Sequence, residues 1–155
     1  MTAHPPRLKS LIAAVLLCAT IPAAAFPEPG RLPEHVTPEI VRMIERGAQY
    51  LVRTQNPDGS WNNQGGYGRY PTAMTALAGT GLLATGSTPT RGPYSKAISK
   101  AAGFLMRTGQ RNGLFATTAE QGRSLHGHGF TLLFLAEVYG MEGDVTRQKR
   151  IHDLL

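Results

Sequence analysis

His126 and His128 stand one residue apart in a stretch that also carries Glu120 and Arg123. Imidazole nitrogens bind zinc or carry a proton for a substrate. If both residues are already helical, their side chains point about 200° apart, because a helix turns about 100° per residue. They converge on one ion only if the helix begins after them. The plainer reading makes them loop and first-turn residues, so His126 and His128 are candidate ligand contacts and no metal is assigned. Glu120 and Arg123 are expected to line the same mouth. Tyr67, Tyr70 and Trp61 flank a second polar stretch, the Gly-rich loop before Pro71. Aromatic faces stabilise cations and also stack on sugars. The plainer reading packs Tyr67 and Tyr70 under the loop. Asp58, Asp144 and Asp153 stand apart along the chain, so no Asp-rich acid motif is visible. Asp58 falls in the turn Asn56-Pro57-Asp58-Gly59 and reads as a turn former. No cofactor is assigned.

The chain has 155 residues, the length of one ordinary domain. Its first 25 residues read as a secretory signal. Arg7 and Lys9 give a basic start, Leu11 to Ala19 an apolar run, and Ala23-Ala24-Ala25 a small-residue cleavage site. The run is far short of the roughly 20 residues a membrane span needs. Leu17 before Cys18 departs from a lipidation signal. Cleavage after Ala25 removes the single cysteine and leaves 14 bases against 10 acids, a balance of +4. The remaining bases are scattered, and a nucleic-acid footprint needs a patch or stripe, so nucleic acid is not an expected partner. An unknown ligand or protein partner is expected, with membrane association as a further candidate. Residues 26–36, with Pro27, Pro29, Gly30 and Pro33, read as a linker.

From residue 37 onward the pattern is helical. Thr37-Pro38-Glu39 is a helix start, and Ile40, Ile44, Ala48 and Leu51 repeat at helical spacing. Tyr70-Pro71-Thr72 opens a second helix, running to about Gly86, that carries no charge. Such a helix is packed on several sides. Gly79 and Gly81 would each cost about 1 kcal/mol in an exposed helix, so close helix–helix approach is expected there. Pro93 opens a third helix with Tyr94, Ala97, Ile98, Ala101, Phe104 and Leu105 on one stripe. A fourth, from about Leu125 to Tyr139, is apolar almost all round, with Gly140 expected to end it. A fifth starts near Asp144. Amphipathic and charge-poor helices therefore alternate, which places the former outside and the latter inside a two-layered helical array.

The array repeats. Arg46-Gly47, Tyr50-Leu51, Gly59, Trp61 and Gly86 match Lys100-Ala101, Phe104-Leu105, Gly113, Phe115 and Gly140, each 54 residues later. Gln55 matches Gln110 with a one-residue slip, expected from a shorter second turn. The segment Arg46-Gly47-x-x-Tyr50-Leu51-x-x-x-Gln55-x-x-x-Gly59-x-Trp61 resembles the QW motif of squalene-hopene and oxidosqualene cyclases. The segment from Lys100 through Gln110 and Gly113 to Phe115 resembles a degenerate second copy. Gly127-His128-Gly129-Phe130 through Leu135-Ala136-Glu137-Val138-Tyr139-Gly140 resembles an inner helix of such proteins. The resemblance spans about 37–139 and implies an all-α fold of tandem helical hairpins forming part of an α/α toroid. Two helix pairs and the start of a third, 37–155, make that array incomplete. It also implies a structural role for Gln55, Gly59, Trp61, Gln110, Gly113 and Phe115, with the Gln amide tying helix ends together and the aromatic covering it.

The resemblance does not by itself assign an activity. Cyclases of the family use an Asp-rich acid motif, and protein prenyltransferases hold zinc with Asp, Cys and His; neither set is visible here. The expected function is an exported binding scaffold with a concave interior. An isoprenoid cyclase whose acid motif lies elsewhere is the alternative, and a carbohydrate-active enzyme on an α/α barrel is the second.

Overall fold

The computed structural model describes Pro33 and residues 35–62, 69–120 and 122–155. The expected signal peptide, Cys18, most of the linker and Tyr67 lie outside the described residues. Residues 38–155 form one compact unit, described here by itself.

That unit is all-helical. Helix α1 spans Pro38–Thr54, α2 Pro71–Leu83, α3 Ser95–Arg107, α4 Leu125–Met141 and α5 Val145–His152, with a 3-10 turn at Thr118–Glu120. The helix starts follow from local chemistry. Pro38 and Pro71 occupy first helical positions, where the missing N–H costs nothing. Asp144 caps α5, its carboxylate accepting from Thr146 N at 2.8 Å and Arg147 N at 3.1 Å. The ends are less simple. Helix α2 stops at Leu83, and the turn Ala84-Thr85-Gly86 follows, with Gly86 at φ +85°. Gly140, expected to end α4, lies inside its last turn.

The core lies where α2, α3 and α4 meet. Ala76 and Leu82 of α2, Ile98, Ala101, Ala102 and Leu105 of α3, and Phe134, Leu135 and Val138 of α4 are fully buried. Helices α2 and α4 pack along each other, and α3 packs against both. The charge-poor helices are thus neighbours, as their composition predicts. Two small residues permit this approach. A Cβ on Gly79 would meet the Phe134 ring at 2.5 Å, and one on Gly127 would collide with Thr72 Oγ1. Gly81 was expected to serve the same purpose, but it is exposed and approaches only Leu51.

Helix α1 is held more loosely than its periodicity suggests. Ala48 is buried and Leu51 half-buried, yet Ile44 is 56% exposed. A period of 3.6 shows that a face is apolar; it does not supply the neighbour that covers it. Helix α5 is pinned to α3 by polar contacts instead. Arg147 donates to Ser99 Oγ at 2.5 Å and to Ser99 O at 2.7 Å, and its Nε lies 3.3 Å from Glu142 Oε2.

Candidate functional site

The two turns that follow α1 and α3 are built alike. Asn56 N donates to Ser60 O and Gly59 N to Asn56 O, each at 2.9 Å. Fifty-four residues later Gln110 N donates to Leu114 O at 2.9 Å and Gly113 N to Gln110 O at 3.0 Å. Asp58 Oδ1 accepts from Ser60 N at 3.0 Å, and Asn112 Oδ1 accepts from Leu114 N at 3.1 Å. Gly59 and Gly113 both take positive φ, +94° and +80°, which a β-carbon disfavours. The turns are therefore equal in length. The backbone of Gln110 occupies the place of Asn56, not of Gln55, and the expected slip does not occur. Thr54 and Thr108, passed over in the sequence, also correspond: each hydroxyl donates to the carbonyl three residues earlier, Leu51 or Leu105. Burial pulls the Asp58 carboxyl upward, but the hydrogen bonds from Ser60 and the charge of Arg107 outweigh it. It settles below the ordinary aspartate range.

The side chains of the turns differ in reach. Gln55 Nε2 donates to Gly59 O at 3.1 Å and across to Ala97 O of α3 at 2.9 Å. Gln110 Nε2 donates to Ala116 O at 3.1 Å, just past its own turn. Trp61 is 5% exposed, and its indole N–H donates to Leu51 O, a carbonyl of the last turn of α1, at 2.9 Å. That satisfies one of the orphan acceptors every helix end leaves. Phe115, 1% exposed, stands in the second position without such a donor. Both aromatic residues also anchor the following helix through their backbone amides. Trp61 N donates to Thr75 Oγ1 at 2.9 Å, and Phe115 N to His128 Nδ1 at 3.3 Å.

This last contact separates the two histidines. His128 faces the turn: its ring stacks on Phe115 with centroids 5.9 Å apart and accepts a backbone hydrogen bond. An accepting Nδ1 places the proton of the neutral ring on Nε2. His126, two residues earlier on α4, is exposed and lines a different space. Both are helical, so they diverge as the helical turn requires and share no ion. Among the described residues no cluster of three His, Cys, Asp or Glu side chains is placed to hold a metal.

Glu120 also lies elsewhere than expected. It is 3% exposed and caps α2 rather than lining a mouth. Pro71 has no N–H, so Thr72 offers the first free amide of α2. Glu120 Oε1 accepts it at 3.0 Å and the Thr72 hydroxyl at 2.8 Å. The other oxygen accepts from Thr117 N at 3.1 Å and Thr117 Oγ1 at 2.7 Å. A carboxylate at the positive end of a helix, with four donors, is fully occupied. Its position in a connecting loop gave no hint that it reaches a helix start 48 residues away.

What remains at the N-terminal ends of α2 and α4 is an open groove of about 600 Å³ lined by Tyr70, Ala73, Met74, Arg123, Leu125 and His126. Tyr70 and His126 were candidates from sequence; Ala73, Met74 and Leu125 were not. Arg123 donates to the Tyr70 hydroxyl at 3.2 Å, which raises the guanidinium's proton affinity further. The apolar wall extends beyond the groove. Met74 and Leu77 on α2, and Phe130 and Leu133 on α4, are 37%, 47%, 37% and 53% exposed. On α4, His126, Phe130 and Leu133 stand at i, i+4 and i+7, one helical stripe. Phe134, expected to lie partly open with them, is fully buried against Gly79.

Over half its length the chain is similar to a terpene cyclase. It is 38% identical over 81 residues to alpha-onocerin synthase LCD of Lycopodium clavatum, an alignment covering 52% of this chain and 10% of that protein. The chain therefore spans about a tenth of the relative it matches. No family model matches it, and no solved structure does.

Proposed function

We propose that the chain is an exported, cyclase-like repeat protein that acts as a binding scaffold, and that its hairpins belong to an α/α toroid whose inner layer is α2 and α4. The observation that carries the binding reading is the apolar surface of the inner helices. Met74, Leu77, Phe130 and Leu133 stand open on the two charge-poor helices, beside a groove with few polar groups. Exposed apolar surface of this kind marks ligand or partner sites. The pairing of α2 with α4, the outer position of α3 and the repeated turn support the toroid. The basic start, apolar run and Ala23-Ala24-Ala25 site support export.

Enzymatic cyclisation is the second reading, favoured by the similarity to alpha-onocerin synthase. One experiment separates them. The purified chain is titrated with a linear polyprene alcohol, and the mixture is then extracted and analysed for products. Saturable binding without turnover is expected, weakened in Leu133→Asn with an unchanged melting temperature. Absence of binding would refute the scaffold, and a cyclised product would establish the enzyme. The same preparation, recovered from outside the cytoplasm, should begin at Phe26; an intact Met1 would remove export from the proposal.

A further inference from the structure

We infer that the groove at the N-terminal ends of α2 and α4 selects a single-chain anionic amphiphile, with a carboxylate at Arg123 and an alkyl chain along Met74 and Leu125. This deepens the scaffold reading above and rests on it. The walls are apolar: Ala73, Met74 and Leu125 carry no polar side-chain atoms other than the Met thioether. One charge stands at the rim. Arg123 is a permanent cation, and the Tyr70 hydroxyl holds its guanidinium at 3.2 Å. No acidic side chain is among the lining residues, and Glu120, three residues away, points its carboxylate to Thr72 and Thr117. The groove is thus a hydrophobic slot with a net positive rim, and its complement is a molecule with an apolar body and one negative end.

The geometry also gives an approximate length. From Met74 the exposed side of α2 continues through Leu77 to Gly81, a rise of about 10 Å at 1.5 Å per residue. On α4 the step from His126 through Phe130 to Leu133 is equally long. Gly81 has only Leu51 nearby, so the floor stays open at the far end. A medium-length alkyl chain lies along this track with its head group against Arg123 and the His126 ring. A bulky or doubly charged head group has only one arginine to answer it.

The test uses the whole chain and two probes of equal chain length, dodecanoate and dodecanol, below their aggregation limits. Calorimetric titration should show dodecanoate binding more tightly. Arg123→Gln should remove that advantage, about fivefold for a solvent-screened ion pair, and leave dodecanol unchanged. Leu125→Ser, at a residue 77% exposed and so outside the core, should weaken both probes. Equal affinity for the two probes, or an unchanged preference in Arg123→Gln, would overturn the anionic selectivity while leaving an apolar scaffold standing. If neither probe binds, the scaffold reading falls with it. A parallel titration with zwitterionic vesicles containing dodecanoate identifies the source. Binding seen only with vesicles would assign the site to a lipid surface and overturn a soluble ligand.

Discussion

Thr131 is buried in the middle of α4, and its hydroxyl finds no hydrogen-bond partner among the described residues. Other buried threonines are engaged: Thr72 with Glu120, Thr75 with Trp61, Thr108 with Leu105. A buried hydroxyl without a partner loses its hydration and gains nothing in return. Thr131→Val keeps the shape and removes the polar atom, so it should stabilise the fold by about 1 kcal/mol. Thermal unfolding of the two proteins measures it, and a lower melting temperature in the variant would show that the hydroxyl is used. The residue scale is also where sequence reading was weakest. His126 and His128 look like one pair in a string of letters. The helix sends one to a groove and the other to Phe115. Glu120 looked like a mouth residue for the same reason: the contact that defines it joins positions far apart in the chain.

Elements were more legible, because their limits are written in local chemistry. Pro38 and Pro71 fix two helix starts, Asp144 a third, and the Asp58-Gly59 and Asn112-Gly113 pairs fix the two turns. The absence of charge from α2 foretold its packing against α4. The coverage of α1 was not legible, since Ile40 and Ile44 announce an apolar face and nothing about its neighbour. Nor was the difference between Gly79 and Gly81, which only the position of Phe134 reveals. That difference gives a prediction for the α2–α4 contact. Gly79→Ala should destabilise by about 1–3 kcal/mol, as over-packed cores do, despite the better helix propensity of alanine. Gly81→Ala, with open space around it, should be neutral or stabilising. Denaturant melts of both variants check this; equal effects would mean that α2 and α4 can separate without cost.

On the scale of the whole molecule, the fold is a core with unevenly attached surroundings. Helices α2, α3 and α4 share the buried side chains, α5 is held to α3 through Arg147, and α1 contributes chiefly Ala48, Leu51 and its last-turn carbonyl. The two repeat turns look interchangeable by their backbones but are moored differently. Gln55 crosses to Ala97, whereas Gln110 goes only to Ala116. Gly59 and Ser60 are buried, while Gly113 is exposed and Leu114 half-buried.

That difference in mooring sets a clock. In heavy water a backbone amide exchanges its proton when its own hydrogen bond opens, and local openings differ in free energy across one structure. The Gly59 amide can open only if Gln55 lets go of α3 or the turn lifts from the Lys100 backbone it touches. The Gly113 amide, in an identical loop, needs only its own turn to breathe. Deuterium should therefore enter the second turn first. The lag between the two loops, read by mass spectrometry of the corresponding peptides, measures what one side-chain amide adds. In Gln55→Ala the two loops should approach the same rate. If they exchange together in the unaltered chain, the link from Gln55 to Ala97 does not hold the first loop in place.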